Sequence, residues 1–238
     1  MDGFSKEEAV VVDKTLAKLP KTPMMLLCVI GLVLAPIAVY DDNWLNSNID
    51  TDDFWGTIME QNVYLSLDTF QMEVCADGDC SIEENEKLAE LYQLCYDEVT
   101  EEEGEEEGED EVDENEVEEM CGPWNELHKA GKTAKTLIFA SMFIVLSGML
   151  VGLSPISNQN RIIPYSIITA GGGTMLVAIF NWKRMLPEFT DNLDNGSGQA
   201  VAIFSGILFL IAGVIGIIQS RKLIKQELQI DNEALSEE

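Results

Sequence analysis

Four stretches of this chain, residues 23–40, 136–154, 162–181 and 200–219, contain no Asp, Glu, Lys, Arg or His. Each approaches or reaches the roughly 20 residues a helix needs to cross a hydrocarbon core of about 30 Å. Apolar residues gathered into blocks, in place of apolar residues spaced for a soluble core, predict a membrane protein. The first block follows a polar, charged segment and shows no small-residue cleavage site, so it is expected to be a retained span. The fold class implied is a membrane all-α four-helix transmembrane bundle. It carries a small, disulfide-linked, β-containing extracellular or lumenal domain in the first outer loop.

The intervals follow from the blocks. Residues 1–22 form an amino-terminal amphipathic segment, 41–135 the first outer loop, 155–161 an inner connection, 182–199 a second outer loop and 220–238 a tail. Between positions 41 and 135 lie 31 of the 43 acidic residues against four lysines, so that loop carries −27 of the formal −29. Orientation rests on three signals. The same loop holds Cys75, Cys80, Cys95 and Cys121, an even number that suggests two disulfides in an oxidising compartment, while Cys28 lies inside the first span. Asn195-Gly196-Ser197 is a glycosylation sequon in the second outer loop, on the same side. Lysines and arginines are mildly biased to the opposite side. Both termini are therefore expected to be cytosolic.

In the first segment Ser5 and Glu8 fit a helix capping box ahead of Ala9, Val12, Leu16 and Leu19. The outer loop divides into three pieces. Residues 44–80 have strand character and an Ala-Asp-Gly-Asp turn between Cys75 and Cys80, which predicts a hairpin. Residues flanking such a turn can face each other about 5 Å apart, within reach of a disulfide. Residues 81–96, opened by Ser81 and Glu84 as a capping box, predict a helix. Residues 97–119, with Glu101, Glu105, Glu109 and Asp113 among a run of carboxylates, have almost nothing apolar to bury and are expected to be disordered. Four cysteines allow three pairings; Cys75 with Cys80 and Cys95 with Cys121 is the expected one, the second bridge pinning both ends of the acidic tract.

Small residues recur at four-residue spacing within the spans: Gly31 and Ala35, Gly148 and Gly152, Ala170, Thr174 and Ala178, Ala202 and Gly206. Such stripes let helices approach closely and predict packing inside one bundle, with a dimer seam at Gly148 and Gly152 as the minority alternative. Gly171-Gly172-Gly173 is expected at a close crossing or bend. No catalytic constellation is found. The single histidine, His128, has no second histidine at metal spacing, and flexible carboxylates are not held in the geometry acid-base chemistry needs. Asp77-Gly-Asp79 begins like a calcium loop, but Ile82 and Leu88 stand where glycine and a bidentate glutamate belong. No enzyme, cofactor, structural metal or nucleic-acid partner is expected. The acidic tract is expected only to attract divalent cations weakly and diffusely.

Four spans, a large cysteine-bearing first outer loop with strands, Trp44 just after the first span and Asp53-Phe54-Trp55-Gly56 before the cysteines resemble the claudin superfamily. That group also holds the peripheral myelin proteins and the calcium-channel γ and AMPA-receptor auxiliary subunits. The fourth span from Gly198 to Gly206 is similar too. Here the cysteines come later and closer together than in claudins, and the acidic insertion is additional. The resemblance implies a plasma-membrane auxiliary or assembly subunit. Its partners would be the lipid bilayer and another integral membrane protein, a channel or receptor, or a like protein. Cell-cell adhesion or a paracellular barrier is the alternative, and a pore-forming subunit the second.

Overall fold

The structure, a computed structural model, describes residues 21–52, 58–76, 79–105, 114–154 and 161–236. The helix expected in the first twenty residues, Trp55, the turn residues Asp77 and Gly78, Glu109, Asp113 and positions 155–160 lie outside the described residues. In chain order the elements are α1 (Lys21–Val39), β1 (Leu45–Asp52), β2 (Ile58–Leu65), β3 (Thr69–Ala76), β4 (Asp79–Lys87) and α2 (Leu88–Glu105). There follow α3 (Glu114–Leu153), α4 (Ile163–Arg184), a 3-10 turn (Glu188–Asn192), β5 (Asp194–Asn195) and α5 (Ser197–Ser236). They fall into two compact units, one comprising Met1–Leu34, Phe139–Leu176 and Phe204–Glu238, the other Ala35–Ile138 and Val177–Ile203.

Among the described residues three helices are long and apolar enough to cross a membrane: Val117–Leu153, Ile163–Arg184 and Ser197–Gln226. The apolar part of α1, Pro23–Val39, is shorter. Within the first unit, helices meet where side chains are smallest. A Cβ on Gly31 would stand 2.5 Å from the Phe209 ring, so α1 lies directly on α5. One on Gly148 would meet Ile168 at 2.8 Å and one on Gly152 would meet Pro164 at 3.5 Å, so both of these glycines face α4. The glycine triplet of α4 is two-sided: Gly171 faces Val145 of α3, while Gly172 lies 2.8 Å, measured from its ideal Cβ, from the Leu210 backbone nitrogen of α5. Gly206 takes Met175 and Leu176 of α4. At Gly172 glycine is required because its backbone touches the α5 backbone with nothing between, whereas at Gly152 an added Cβ would make an ordinary contact.

Two serines use the same closeness. Ser141 Oγ donates to the Gly171 carbonyl and Ser205 Oγ to the Gly31 carbonyl, each at 2.8 Å and buried. Interhelical bonds of this kind are worth about 0.6 kcal/mol each in membrane proteins. The outward helix faces are apolar as well. Phe180 is 72 % exposed, Phe143 and Leu153 each 68 %. In water such surfaces would be a liability; against lipid tails they are not.

The second unit is built on an antiparallel sheet of order β4-β3-β2-β1-β5. The first four strands form a meander, and the fifth, two residues from the second outer loop, pairs Asn195 with Leu45. The helix expected over 81–96 is corrected at its start. Residues up to Lys87 are strand, paired to β3 with Cys80 opposite Cys75, and the helix begins at Leu88. Cross-strand pairing beside a covalent bridge outweighs the local capping signal of Ser81 and Glu84. Strand β4 is an edge with Glu83 and Glu84 exposed, charges that discourage further strand pairing.

The acidic tract also departs from expectation at its ends, since α2 runs on through Glu101 to Glu105 and α3 starts at Glu114. Glutamate is a good helix former, and acidic residues at the start of α3 oppose the partial positive charge of its free amides. The tail from residue 220 is helical to Ser236.

Replacing Gly172 with Leu is expected to push α4 from α5, at a cost of about 1–3 kcal/mol for overpacking. Thermal unfolding in detergent checks this; Gly173→Leu, at a position with nothing within 4 Å, is the control that should leave the midpoint unchanged.

Candidate functional site

The strands and both disulfides belong to the second unit, and its geometry starts from one tryptophan. Helix α1 ends at Val39, leaving its last carbonyls without helical partners. Trp44, fully buried, returns its Nε1 to donate to the Ala38 carbonyl at 2.6 Å. Its ring meets Trp182, also fully buried, edge-on at 4.9 Å. A Cβ on Gly198 would lie 2.6 Å from the Trp44 indole, so only glycine fits there. Trp44 thereby joins the end of α1, the end of α4 and the start of α5. Asp41 accepts from Asn43 N at 2.8 Å and from Ser197 Oγ at 3.1 Å, fixing the approach to β1.

The turn from β2 to β3 is the second anchor. Ser66 Oγ accepts from the amides of Asp68 and Thr69, at 3.1 and 2.8 Å, and Leu67 is buried beneath. A Cβ on Gly131 of α3 would fall 1.8 Å from the Leu67 carbonyl oxygen, so the turn presses directly on helix backbone. Beside it Lys135 pairs with Asp68 and lies 5.4 Å over the Tyr40 ring. On α3 the buried positions Val117, Cys121, Leu127, Ala130, Ala134 and Ile138 recur at helical spacing, making an inward face. Trp44 stands out in the sequence, but the second anchor does not, although the Ala130, Gly131 and Ala134 cluster is a small-residue notch of the kind noted in the spans.

The structure brings the loop cysteines together in two bridges. Cys75 joins Cys80 across β3 and β4; Cys95 of α2 joins Cys121 of α3 with 26 residues between them. Cys121 is fully buried and Cys80 exposed. Next to the first bridge Glu73 receives Asn62 Nδ2 at 3.4 Å and Tyr64 Oη at 3.5 Å. Partial loss of solvent, then the charge of Glu73 and its hydrogen bond, push the Tyr64 hydroxyl above its ordinary value. Glu73, Cys75 and Cys80 offer ligand-type atoms all within 4.8 Å of one another.

An aromatic ridge spans three elements. Phe70 of β3 meets Trp124 of α3 edge-on at 5.6 Å, and Trp124 meets Phe189 of the 3-10 turn at 5.9 Å. Phe189 is 49 % exposed, held outward by a turn in which buried Thr190 donates Oγ1 to the Pro187 carbonyl at 2.7 Å. Met120, one turn before Trp124, is 48 % exposed. Glu118, Glu119, Glu126 and Glu188 are exposed around these positions. Asn195 and Ser197 of the sequon are exposed at the join of β5 and α5. Gly31, Gly148, Gly152 and Gly206 serve the helix crossings of the first unit.

No protein-family model matches this chain, and no curated protein matches it.

Replacing both Cys95 and Cys121 with Ser is expected to cost about 2–4 kcal/mol, because a loop of this length is released into the unfolded ensemble. Denaturant unfolding of the variant, with a peptide map of the wild type under non-reducing conditions, measures the cost and the pairing. A second expectation concerns Tyr64. A raised folded value means the neutral phenol is favoured in the fold, so this contribution to stability is complete below about pH 10 and is lost as pH climbs through the raised value. Ultraviolet titration against Tyr64→Phe should assign Tyr64 to the late-ionising phenol, and Glu73→Gln should bring it back toward the ordinary range.

Proposed function

We propose that this chain is a non-enzymatic, claudin-like four-span protein of the plasma membrane, with both termini cytosolic, acting as an auxiliary or assembly subunit of another integral membrane protein such as a channel or receptor. The observation that carries the reading is the ridge of Phe70, Trp124 and Phe189 on a unit to which both outer loops contribute. Phe189 is exposed and Phe70 and Trp124 are half-buried beside it, and aromatics presented on rigid elements are the residues that dominate protein interfaces. The apolar blocks without ionisable side chains support a structural membrane portion, since proton relays and voltage sensors need charges at membrane depth. The apolar part of α1, Pro23–Val39, is at the low end of the roughly 17–25 residues that serve as spans. Buried Trp44 just after α1, and a first outer loop whose strands carry a disulfide, support the claudin-like assignment. Exposed Asn195 supports placing this unit outside as a glycosylated surface.

The partner's chemistry follows from charge. Glu118, Glu119 and Glu126 are exposed within six residues of Trp124 and Glu188 is exposed next to Phe189, and the loop as a whole is strongly acidic. A second copy would meet like charge, and anionic lipid would be repelled. Trp124 lies twelve residues before the apolar block that starts at 136, about 18 Å along a helix, which supports contact with an ectodomain above the headgroups. The occupant is a basic ectodomain of another membrane protein offering an apolar socket.

Purification of the tagged chain from its native cells in mild detergent tests this. A larger channel or receptor should co-purify, and the double variant Trp124→Ala, Phe189→Ala should reduce its recovery at least tenfold while leaving the subunit's own melting point within a few degrees. Recovery unaffected by the variant overturns the ridge as the contact. Strands at cell-cell contacts without any co-purifying partner support the barrier reading instead, and conductance of the chain alone in empty bilayers the pore.

A further inference from the structure

We infer that Cys75, Cys80 and Glu73 form a redox-gated site for a zinc-class divalent cation, closed while the disulfide exists and opened by its reduction. The inference is independent of the partner reading above. Three observations carry it. Residues 75 and 80 are direct partners in the β3–β4 ladder, so the backbone holds the two sulfurs side by side whether or not a covalent bond joins them. Glu73, two residues earlier on the same strand and hence on the same face, places a carboxylate oxygen within 4.8 Å of both sulfurs. That carboxylate is oriented by two donors, Asn62 Nδ2 and Tyr64 Oη of the neighbouring strand, and the same Asn62 amide reaches Cys75 Sγ at 3.7 Å. A ligand set with its outer hydrogen bonds already in place is what distinguishes a metal site from a chance cluster of donors.

The spacing suits the ion. Zinc binds thiolate sulfur at about 2.3 Å and carboxylate oxygen at about 2.1 Å, so ligand atoms of a tetrahedral site stand roughly 3.5–3.8 Å from one another. Sulfurs on directly paired strand residues reach that separation by side-chain rotation once the bond is cut. Three protein ligands leave the fourth position to water. Thiolates select soft or borderline ions over calcium and magnesium, which separates this site from the diffuse attraction of the acidic tract.

The chemistry balances with a dithiol as reductant. Its thiolate attacks Cys80, the exposed sulfur, releasing the Cys75 thiolate; its second thiol then displaces Cys80, leaving two protein thiols and one oxidised dithiol. The cation binds with loss of the two thiol protons. The Cys95–Cys121 bridge presents no exposed cysteine, Cys95 being half-buried and Cys121 fully buried, whereas the first bridge presents Cys80; Cys28, also buried, lies in the other unit. Mild reduction therefore acts first on the Cys75–Cys80 bridge.

The test titrates cadmium, a spectroscopic stand-in for zinc, into the purified full chain before and after mild dithiol treatment, with a non-reducing peptide map proving that Cys95–Cys121 persists. The expected result is a thiolate-to-cadmium charge-transfer band saturating at one ion per chain in the reduced protein and no band in the oxidised one. Glu73→Gln, which keeps the size of the side chain, should weaken binding at least tenfold, and Tyr64→Phe should weaken it less. A band equally strong in Glu73→Gln, a band absent after reduction, or one retained in the Cys75→Ser, Cys80→Ser double variant would each overturn the site. Circular dichroism of the metal-free variants, unchanged from wild type, keeps loss of binding distinct from loss of fold.

Discussion

The second unit depends on a hydrogen bond that a helix end needs and an indole supplies. An α-helix leaves its final carbonyls without partners, and the remedy is usually a glycine cap. Here α1 closes without glycine; the Ala38 carbonyl is met by a tryptophan six residues on. That bond turns the chain back, so Trp44 is buried against Trp182 and β1 leaves in one direction only. Burial of an aromatic ring this size is worth on the order of 3–5 kcal/mol on truncation, a large share of a domain's net stability. The Trp44 backbone carries this position into the sheet, its amide donating to the Leu65 carbonyl and its carbonyl accepting from Gly196, each at 2.8 Å.

A second theme is that contact surfaces are made of backbone. Gly131 receives the Leu67 carbonyl, Gly172 the α5 backbone, Gly213 the Thr169 hydroxyl and Gly216 the Tyr165 ring. Where apolar surface is not driven together by water, association rests on dispersion, which falls steeply with distance, and on hydroxyl-to-carbonyl bonds that form only at short range. Glycine answers both needs. The cost it carries in a soluble helix is tolerated because neighbouring elements fix its conformation.

The legible parts of the sequence were those set by local composition. Apolar blocks, the Trp44 position and the strand character of residues 44–80 can be read from one stretch at a time. What stayed hidden depends on distant residues. Ser81 and Glu84 carry a sound capping signal, yet strand β3 claims that segment because Cys80 faces Cys75. The two residues of β5 have no pattern of their own and become a strand only by lying beside Leu45. The long amino-terminal extension of α3 was visible in principle through Val117, Cys121, Leu127, Ala134 and Ile138, but Gly122, Pro123 and the surrounding charge masked its period. At the ridge, Phe70, Trp124 and Phe189 are separated by tens of residues, and nothing in their neighbours marks them as one surface.

The strand order has a consequence for how the protein is made. Strands β1 to β4 leave the ribosome in succession, but the residue that packs against Trp44 and the strand that closes the sheet, Trp182 and Asp194–Asn195, follow only after two more apolar helices. At synthesis rates of about 5–20 residues per second, that interval is on the order of ten seconds. For this time a large indole and an open strand edge are exposed in the compartment where the outer loop emerges. The nascent chain is thus a substrate for chaperones and for premature pairing of its four loop cysteines. A truncation before the second outer loop would leave this state permanent, making quality control, more than the activity of the finished protein, the first process such a mutation disturbs.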